Sequence, residues 1–290
     1  MEIIRNIKVL QNSLKTERMR GRAIGFVPTM GALHDGHMSL IRTARLENDI
    51  LIASIFLNPI QFGPSEDFEK YPKDMDGDIS KLRGADVDMA FLPDASAMYP
   101  EGFSTAVDVR GLSEKLCGGL RPGHFTGVAT VIAKLFNIVG PERAYFGQKD
   151  YQQGLIIKKL VRDLNMDINV VLCPTRREPD GLAMSSRNLR LGADERKAAA
   201  ALYMSLSFAL EKIKSGILNV REVKGLIKGI LSHEPLITDI EYASVYDAES
   251  LDELDEITGR AVLAAAVRIG DVRLIDNIPV EGLQNPAKKG

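Results

Sequence analysis

The stretch that most constrains this fold is residues 25–37, GFVPTMGALHDGH, which joins a short apolar segment to a turn with two glycines. Apolar Leu40, Ile41 and Ala44 follow at helical spacing, and polar residues occupy positions between them. This pattern predicts a helix that packs on one side only. The stretch therefore predicts a strand, a turn and a helix in direct succession.

The start of this predicted helix is also a candidate binding site. Free backbone N–H groups and the positive end of the helix dipole attract anions such as phosphate. His34 and His37 are three residues apart, so both can face one side of the first turn and donate a ring N–H to phosphate. Two other interpretations stay open: the histidines have no chemical role, or they bind zinc, although no convincing third ligand lies nearby.

Composition narrows the class of protein. The chain has 290 residues, 45% of them hydrophobic, so it can bury a full core in one large or two moderate domains. A formal net charge of −2 provides no global basic field for nucleic acid, so any anion site must be local. We see no signal-peptide pattern and no apolar run of membrane-spanning length, so we expect a cytoplasmic enzyme without a membrane partner. Cys117 and Cys173 are expected as free thiols and are assigned no function.

The strand pattern predicts an α/β fold. Residues 50–57, ILIASIFL, are an uninterrupted apolar run, which is typical of a parallel strand buried on both faces. With a strand at 23–27 and the helix between them, they form a βαβ unit with a right-handed crossover. Further strands are predicted at 89–92, 143–147 and 168–172, and an edge strand at 105–109. We expect a Rossmann-like parallel sheet in a nucleotide-binding catalytic domain over residues 1–176.

The Pro- and Gly-marked stretch 174–181 is the best domain boundary. Beyond it, the pattern predicts helices at about 195–214 and 221–231 and strands near 240–246, 261–267 and 272–276. We therefore expect a small α+β domain at 177–283 that acts as a lid, followed by a frayed tail at 284–290.

Polar loops are expected at the sheet edge where the histidines lie, because parallel strands end there. Asn58 and Gln61 follow one predicted strand, and Lys149, which can place positive charge on phosphate oxygens, follows another. His124 lies in a glycine-rich loop before a helix. Each has an interpretation without chemistry: Asn-Pro often opens a turn, lysines are usually solvated, and a histidine beside glycines can simply cap or pack.

Two further stretches carry charge. Residues 184–188, MSSRN, offer hydroxyls and a guanidinium that can bind phosphate, although the stretch can equally be a linker that ends at a helix cap. The acidic stretch 65–83 is expected to be mostly a solvated face. A nucleotide enzyme nevertheless needs Mg²⁺, which takes one or two carboxylates together with substrate phosphates and water.

Taken together, His34, His37, Lys149 and Arg187 form a predicted positive cradle. The chain contains no Gly-x-x-x-x-Gly-Lys-Ser/Thr loop, which argues against a P-loop ATPase. We also find no nucleophile elbow or activated cysteine that would form a covalent enzyme intermediate. Cationic donors without a protein nucleophile suit adenylyl transfer, in which a substrate carboxylate attacks the α-phosphate of ATP.

Three motifs carry a family resemblance. His34-Asp35-Gly36-His37 is similar to the His-x-Gly-His motif of the nucleotidyltransferase superfamily, which includes the class I aminoacyl-tRNA synthetases. The longer run 28–37, PTMGALHDGH, resembles the pantoate–β-alanine ligase family. Residues 147–153, GQKDYQQ, resemble that family's second motif, with Gln148 where Glu is usual, and residues 185–187 resemble the synthetases' Lys-Met-Ser-Lys-Ser loop.

The resemblance implies an ATP-dependent ligase that condenses pantoate with β-alanine through a pantoyl adenylate and releases AMP and pyrophosphate. It also implies Mg²⁺, a homodimer and a set of site residues. These are Pro28, Met30, His34, His37, Gly147, Lys149, Asp150, Met184, Ser185, Ser186 and Arg187 for ATP; Met30, Asn58, Gln61, His124 and Gln153 for pantoate; His34, His37, Lys149 and Arg187 for catalysis; and Asp78 for Mg²⁺. The family often has two successive acids at the metal position, whereas Gly77 precedes Asp78 here.

Two alternative functions stay open. Another nucleotidyltransferase of the superfamily, an adenylyl- or cytidylyltransferase, would share the histidine pair but would not need Gln61 and Gln153 to face a small hydroxy acid. A non-catalytic nucleotide-sensing module would bind ATP at the same corner without turnover.

Overall fold

The computed structural model describes residues 1–63 and 68–281. The predicted frayed tail at 284–290, and residues 65–67 of the predicted solvated acidic stretch, lie outside these ranges. The chain divides into two compact units, one of Met1–Arg176 and one that begins at Arg177.

A parallel sheet forms the centre of the first unit. Its described strands, in chain order, are β1 (Glu2–Ile4), β2 (Ile24–Thr29), β3 (Ile50–Ile55), β4 (Met89–Phe91), β5 (Arg143–Gly147) and β6 (Asn169–Cys173). They pair in the order β1-β4-β3-β2-β5-β6, and each pair is parallel. The chain builds outward from β2 to β3 and β4 and then returns to add β5 on the other side of β2. Strand order therefore reverses between β2 and β5, and ligands of such sheets bind at that point, beyond the carboxyl ends of the strands.

Helices cover both faces of this sheet. They are α1 (Ile7–Met19), α2 (Asp35–Glu47), α3 (Met75–Gly84), α4 (Ala95–Met98), α5 (Leu116–Leu120), α6 (His124–Val139) and α7 (Tyr151–Asp163). Because side chains alternate along a strand, Phe26 packs in a core with α1, α6 and α7, whereas its neighbour Val27 packs in a core with α2 and α3. Every residue of β3 is buried, as its apolar run predicts. The predicted parallel α/β sheet is confirmed.

The predicted edge strand at 105–109 is wrong. This segment belongs to no strand and lies against α6, where the Val107 N–H donates to the hydroxyl of Thr130 at 2.9 Å. Asp108 accepts from the hydroxyl of Thr126 at 3.2 Å, and Val109 is buried in the core with α6. The segment therefore packs on a helix and does not pair with a strand.

The second unit is α+β, as predicted. It contains α8 (Ala193–Ala198), α9 (Ala200–Lys214) and α10 (Val220–Ser232), followed by β7 (Ile237–Asp247), β8 (Ala261–Ile269) and β9 (Val272–Val280). The strands form an antiparallel sheet in the order β7-β8-β9. The helix predicted at about 195–214 is interrupted at Ala199, which separates α8 from α9. Across the described ranges of the chain, no helix has the length and apolar character needed to cross a membrane.

Candidate active site

The turn after β2 is held in an unusual backbone conformation. Gly31 and Ala32 have φ angles of 90° and 51°, in the left-handed region that favours glycine. The buried carboxylate of Asp78 in α3 accepts the N–H of Ala32 at 2.7 Å and the N–H of Leu33 at 2.6 Å. The ammonium of Lys81, one turn further along α3, donates to the Leu33 carbonyl at 2.6 Å. We call these two side chains the α3 clamp, because they bind the backbone that directly precedes His34.

His34 and His37 sit at the N-terminus of α2, as predicted. His34 is the N-cap residue, and its Nδ1 accepts the N–H of Gly36 at 3.1 Å. The N–H of His34 in turn donates to Nδ1 of His37 at 3.3 Å, and the two ring centroids are 4.1 Å apart. A backbone N–H can only donate, so both Nδ1 atoms are acceptors and both ring protons lie on Nε2. The turn therefore fixes the tautomer of both imidazoles and leaves each with an Nε2–H donor.

Burial keeps both rings neutral. Burial, together with the nearby charge of Lys149, lowers the pKa of His34 to about 4. Burial likewise lowers the pKa of His37 to about 3, with His34 as the next cause. The histidines of this structure thus supply neutral hydrogen-bond donors at pH 7. This differs from the predicted cradle of four positive charges, because desolvation disfavours the imidazolium.

Lys149 supplies positive charge next to this pair. It lies in a short 3₁₀ turn, Gln148–Asp150, that follows β5, so it flanks the same reversal of strand order as the turn after β2. Its Nζ is 3.5 Å from the Asp150 carboxylate, and its side chain is only 19% exposed. Its charge lowers the pKa of both histidines, which places it within electrostatic reach of them. The structure therefore brings His34, His37, Lys149 and Asp150 together.

A second group of polar side chains follows β3. The amide of Asn58 donates to Oε1 of Gln61 at 3.0 Å, and Nε2 of Gln61 lies 3.0 Å from Sδ of Met30. Met30 directly follows β2, so these contacts join the turns after two adjacent strands. Three of the predicted pantoate residues, Met30, Asn58 and Gln61, are thus in contact.

His124 is placed beside this group but has protein partners on both ring nitrogens. Its Nδ1 lies 2.8 Å from the Gln61 carbonyl oxygen, and its Nε2 lies 3.1 Å from the Arg121 guanidinium. A carbonyl only accepts, so Nδ1 carries the proton here. His124 therefore binds the backbone of the Gln61 turn, and its predicted contact with substrate stays a prediction.

The remaining predicted residues of the first unit follow their strands as expected. Pro28 lies in β2, and Gly147 is the last residue of β5. Gln153 lies in the first turn of α7 and is partly buried. Its neighbour Gln152 has a separate structural role, because its amide binds the Cys117 N–H and the carbonyls of Leu112 and Lys115.

Met184, Ser185, Ser186 and Arg187 belong to the second unit. Ser185 is the N-cap of a 3₁₀ turn, Ser186–Arg190, and its hydroxyl accepts the Arg187 N–H at 3.3 Å. The serine thus caps a helical turn, which both the linker interpretation and a role in phosphate binding allow. The predicted contacts of these residues with ATP stay predictions.

The structure adds two residues that sequence reasoning missed. Lys81 was not predicted because it lies among other charged residues of α3. Its spacing of three from Asp78 nevertheless places both side chains on one helix face. Tyr99 donates its hydroxyl proton to Oδ1 of Asn58 at 2.7 Å and had no motif to mark it. Cys117 and Cys173 are buried free thiols, as expected.

The zinc alternative gains no support from the residues that the structure describes. Among them, no group of three or more His, Cys, Asp or Glu side chains is arranged to hold a metal ion. Both oxygens of Asp78, the predicted Mg²⁺ ligand, already accept a backbone N–H, and the residue is 1% exposed. Its role as a metal ligand stays a prediction.

Comparison with known proteins covers nearly the entire chain. The family model for pantoate-beta-alanine ligase matches residues 2–279. A pantothenate synthetase of Thermodesulfovibrio yellowstonii is 54% identical over 281 residues, which are 97% of this chain and 100% of that protein. The crystal structure of pantothenate synthetase from Thermus thermophilus has a TM-score of 0.93 and 43% identity, and it covers 97% of this chain and 100% of its own.

A third relative was crystallised with ligands. The pantoate-beta-alanine ligase of Francisella tularensis, in complex with beta-gamma ATP and beta-alanine, has a TM-score of 0.78 and 37% identity, and covers 97% of this chain and 98% of its own. The resemblance that residues 28–37 and 147–153 carry is therefore confirmed over both units. This chain belongs to the pantoate-beta-alanine ligase family.

Proposed function

We propose that this chain condenses pantoate with β-alanine at the expense of ATP, through a pantoyl adenylate, and releases AMP and pyrophosphate. The observation that carries the proposal is the convergence of two Nε2–H donors and one ammonium where β2 and β5 end. Family membership supplies the identity of the acid and the amine. The Francisella tularensis complex supports the use of ATP and β-alanine by this fold.

In the first step, the pantoate carboxylate attacks the α-phosphate of ATP and pyrophosphate leaves. Negative charge is present on the triphosphate throughout and shifts toward the leaving group in the transition state. His34 and His37 would donate Nε2–H groups to phosphate oxygens, and Lys149 would place its charge there. Donors that the fold already holds in position need no reorganisation during the reaction, which is the basis of electrostatic catalysis.

In the second step, the amine of β-alanine attacks the acyl carbon and AMP leaves. No protein nucleophile is required, because the adenylate is itself the activated acid. We assign the hydroxy acid to the group formed by Met30, Asn58 and Gln61, with Gln153 and His124 as further candidates. Contacts among the first three support this assignment.

The second unit would complete the nucleotide site. Ser185, Ser186 and Arg187 offer hydroxyls and a guanidinium, which stays charged when dehydrated and can bind phosphate in a bidentate manner. We propose that this unit closes over ATP as a lid. Closure of such a lid excludes water, which would otherwise hydrolyse the adenylate.

Mg²⁺ is expected to accompany ATP. The residues present do not fit a metal site built mainly by protein: the described ranges hold no three-residue ligand cluster, and the Asp78 oxygens are in use. The ATP phosphates and water would then hold the ion, which is the usual pattern for Mg²⁺. On the family resemblance we also propose a homodimer. On the sequence pattern and net charge we propose a cytoplasmic protein that binds no nucleic acid.

Product analysis tests the proposed function. The purified protein is incubated with ATP and Mg²⁺, and AMP is measured with pantoate alone, β-alanine alone, or both. We expect sustained AMP formation only with both acids, in equal amount with pantothenate. Turnover of nicotinamide mononucleotide or a cytidylyl acceptor in place of pantoate would indicate another nucleotidyltransferase, and absence of any turnover would indicate a binding module.

A further inference from the structure

Gln61 is the side chain in the pantoate group whose amide can face a ligand in two ways. One orientation presents a carbonyl oxygen to the ligand, and the other presents N–H groups. Which end faces the ligand decides which atoms of the acid the site can recognise. The surroundings of Gln61 settle this orientation, starting from a backbone carbonyl.

The fixed reference is the carbonyl oxygen of Gly127 in α6. It lies 3.1 Å from the side-chain amide of Asn58, which is 1% exposed. A carbonyl only accepts, so the Asn58 atom that faces it must be the nitrogen. Asn58 therefore has one possible orientation, with its oxygen on the opposite side.

Tyr99 binds that oxygen. Its hydroxyl donates to Oδ1 of Asn58 at 2.7 Å. Its ring is held by Phe56 and Phe103, with centroids 6.2 Å and 5.1 Å away, and by Lys134, whose ammonium lies 5.8 Å from the ring centre. Burial raises the pKa of the Tyr99 hydroxyl, so it remains a protonated donor.

The orientation of Asn58 determines the orientation of the Gln61 side-chain amide. The second N–H of Asn58 donates to Oε1 of Gln61 at 3.0 Å, which uses the carbonyl end of that amide. Nε2 of Gln61 then lies on the opposite side, 3.0 Å from the thioether of Met30, which is a weak acceptor. A ligand oxygen near Nε2 of Gln61 would be a stronger acceptor for its N–H groups than the thioether of Met30 is.

The backbone of Gln61 is fixed independently. His124 binds its carbonyl oxygen at 2.8 Å. Gly127 packs so closely on the turn that a Cβ at this position would lie 2.4 Å from the Ile60 oxygen and 2.6 Å from the Gln61 Cα. With its main chain held, the only freedom left to Gln61 is in its side chain, and Asn58 restricts that freedom.

We propose that Tyr99 is a positioning residue: through Asn58 it holds Gln61 with its N–H groups facing the acid substrate, so that Gln61 recognises an acceptor oxygen of pantoate. This inference rests on the proposed function. It predicts that loss of the Tyr99 hydroxyl weakens the acid site and leaves the nucleotide site intact. Without that donor, Oδ1 of Asn58 is buried without a partner, and the orientation of both amides becomes less strongly fixed.

The test is steady-state kinetics of the Tyr99→Phe variant. We expect the KM for pantoate to rise about tenfold, which corresponds to the ~1.4 kcal/mol of one neutral hydrogen bond, with the KM for ATP changed less than about twofold. Tyr145→Phe is the matched control, because this buried tyrosine binds Asn48 and Glu47 instead. An unchanged KM for pantoate in Tyr99→Phe, or an equal rise in Tyr145→Phe, overturns the proposal.

A double-mutant cycle separates positioning from packing. If Tyr99 acts through Gln61, Tyr99→Phe has no further effect on the KM for pantoate in a Gln61→Ala background. Multiplicative effects of the two changes overturn the proposal. If Tyr99→Phe does not fold, Tyr99→Met serves instead: it also removes the hydroxyl that binds Asn58, and it must raise the KM for pantoate without raising that for ATP.

The two proposals fail in different ways. If the wild-type protein makes no AMP from pantoate and β-alanine, the proposed function fails. If the wild type turns over but the variant without the Tyr99 hydroxyl keeps the wild-type KM for pantoate, only the role of Tyr99 fails.

Discussion

At the scale of single residues, the structure changes the chemistry assigned to the histidine pair. The pattern His-x-Gly-His predicted that both rings lie at a helix N-terminus, and this is correct. It did not reveal that backbone N–H groups bind both Nδ1 atoms or that burial keeps the rings neutral. Tautomer and pKa depend on hydrogen-bond partners and desolvation, which have no signature in a four-residue motif.

His37→Ala and Lys149→Ala test the donor roles. Each removes one donor to the developing phosphate charge, and such a loss typically lowers kcat by about 10²–10³-fold. We expect a decrease of this order in pantoate-dependent pyrophosphate release, with the circular dichroism spectrum unchanged. His233→Ala is the control, because this exposed histidine lies in the second unit. Wild-type rates in both His37→Ala and Lys149→Ala would remove these residues from the mechanism.

The lowered histidine pKa values also predict a pH dependence of stability. Below pH 6.5 the unfolded chain binds protons at these positions, while the folded chain stays neutral until about pH 4 at His34 and about pH 3 at His37. The contribution of the neutral histidines to the free energy of unfolding is therefore fully present above pH 6.5 and is lost as the pH falls below that value. From pH 7 to pH 5 we expect the free energy of unfolding to decrease by about 2 kcal/mol because of these two histidines. This value is smaller than the full pKa shifts give, because solvent screens the partly exposed ring of His34.

Urea unfolding at pH 7 and pH 5 measures this effect. The double variant His34→Asn/His37→Asn lacks the titrating groups, and asparagine is itself a good N-cap residue. Its stability should fall less between the two pH values than that of the wild type. An equal decrease in both proteins would mean that the histidines titrate normally in the folded state.

At the scale of elements, the site depends on a contact between a helix and a turn. Asp78 and Lys81 of α3 bind the backbone of residues 32–33, just before the helix that starts at Asp35. The sequence predicted a mostly solvated acidic stretch at 65–83, and the family resemblance singled out Asp78 as a Mg²⁺ ligand. Composition alone could not distinguish this buried acid from its solvated neighbours, because its burial follows from how α3 packs against the turn.

Asp78→Asn tests the α3 clamp. Asparagine keeps one acceptor but turns an NH₂ group toward the second backbone N–H, so one buried donor loses its partner. We expect the free energy of unfolding to fall by about 1–3 kcal/mol and adenylate formation to slow, because His34 is less well positioned. Asp76→Asn, an exposed acid of the same helix, is the control.

The same variant separates the clamp from metal binding. If Asp78 acts only on the turn, the Mg²⁺ concentration that gives half the maximal rate stays at the wild-type value. A large increase in that concentration, without loss of stability, would instead support the predicted role as a Mg²⁺ ligand and contradict the clamp.

At the scale of the whole molecule, strand order places the site. The βαβ pattern predicted parallel strands but not the order β1-β4-β3-β2-β5-β6, because the sequence does not show on which side of β2 a later strand is added. That order brings the turn after β5, which carries Lys149, next to the turn after β2, which carries the histidines. Residues more than a hundred positions apart in sequence thus form one site. The sequence predicted that both turns lie at the same edge of the sheet, but not that they are neighbours.

Met184–Arg187 lie in the second unit, and their contact with ATP is part of the proposed lid. The wrong strand prediction at 105–109 has a related cause, since the sequence of this segment suits packing on α6 as well as pairing at a sheet edge. In both cases, local sequence specifies which residues are polar but not which surface they meet.

The most direct test of adenylyl transfer follows oxygen atoms. Pantoate labelled with ¹⁸O in its carboxylate is converted with ATP and β-alanine, and the released AMP is analysed by mass spectrometry. If the carboxylate attacks the α-phosphate, the bridging oxygen stays with phosphorus when the amine displaces AMP. We predict one ¹⁸O atom per AMP and none in pyrophosphate. Unlabelled AMP, or label in inorganic phosphate together with ADP, would contradict the pantoyl adenylate.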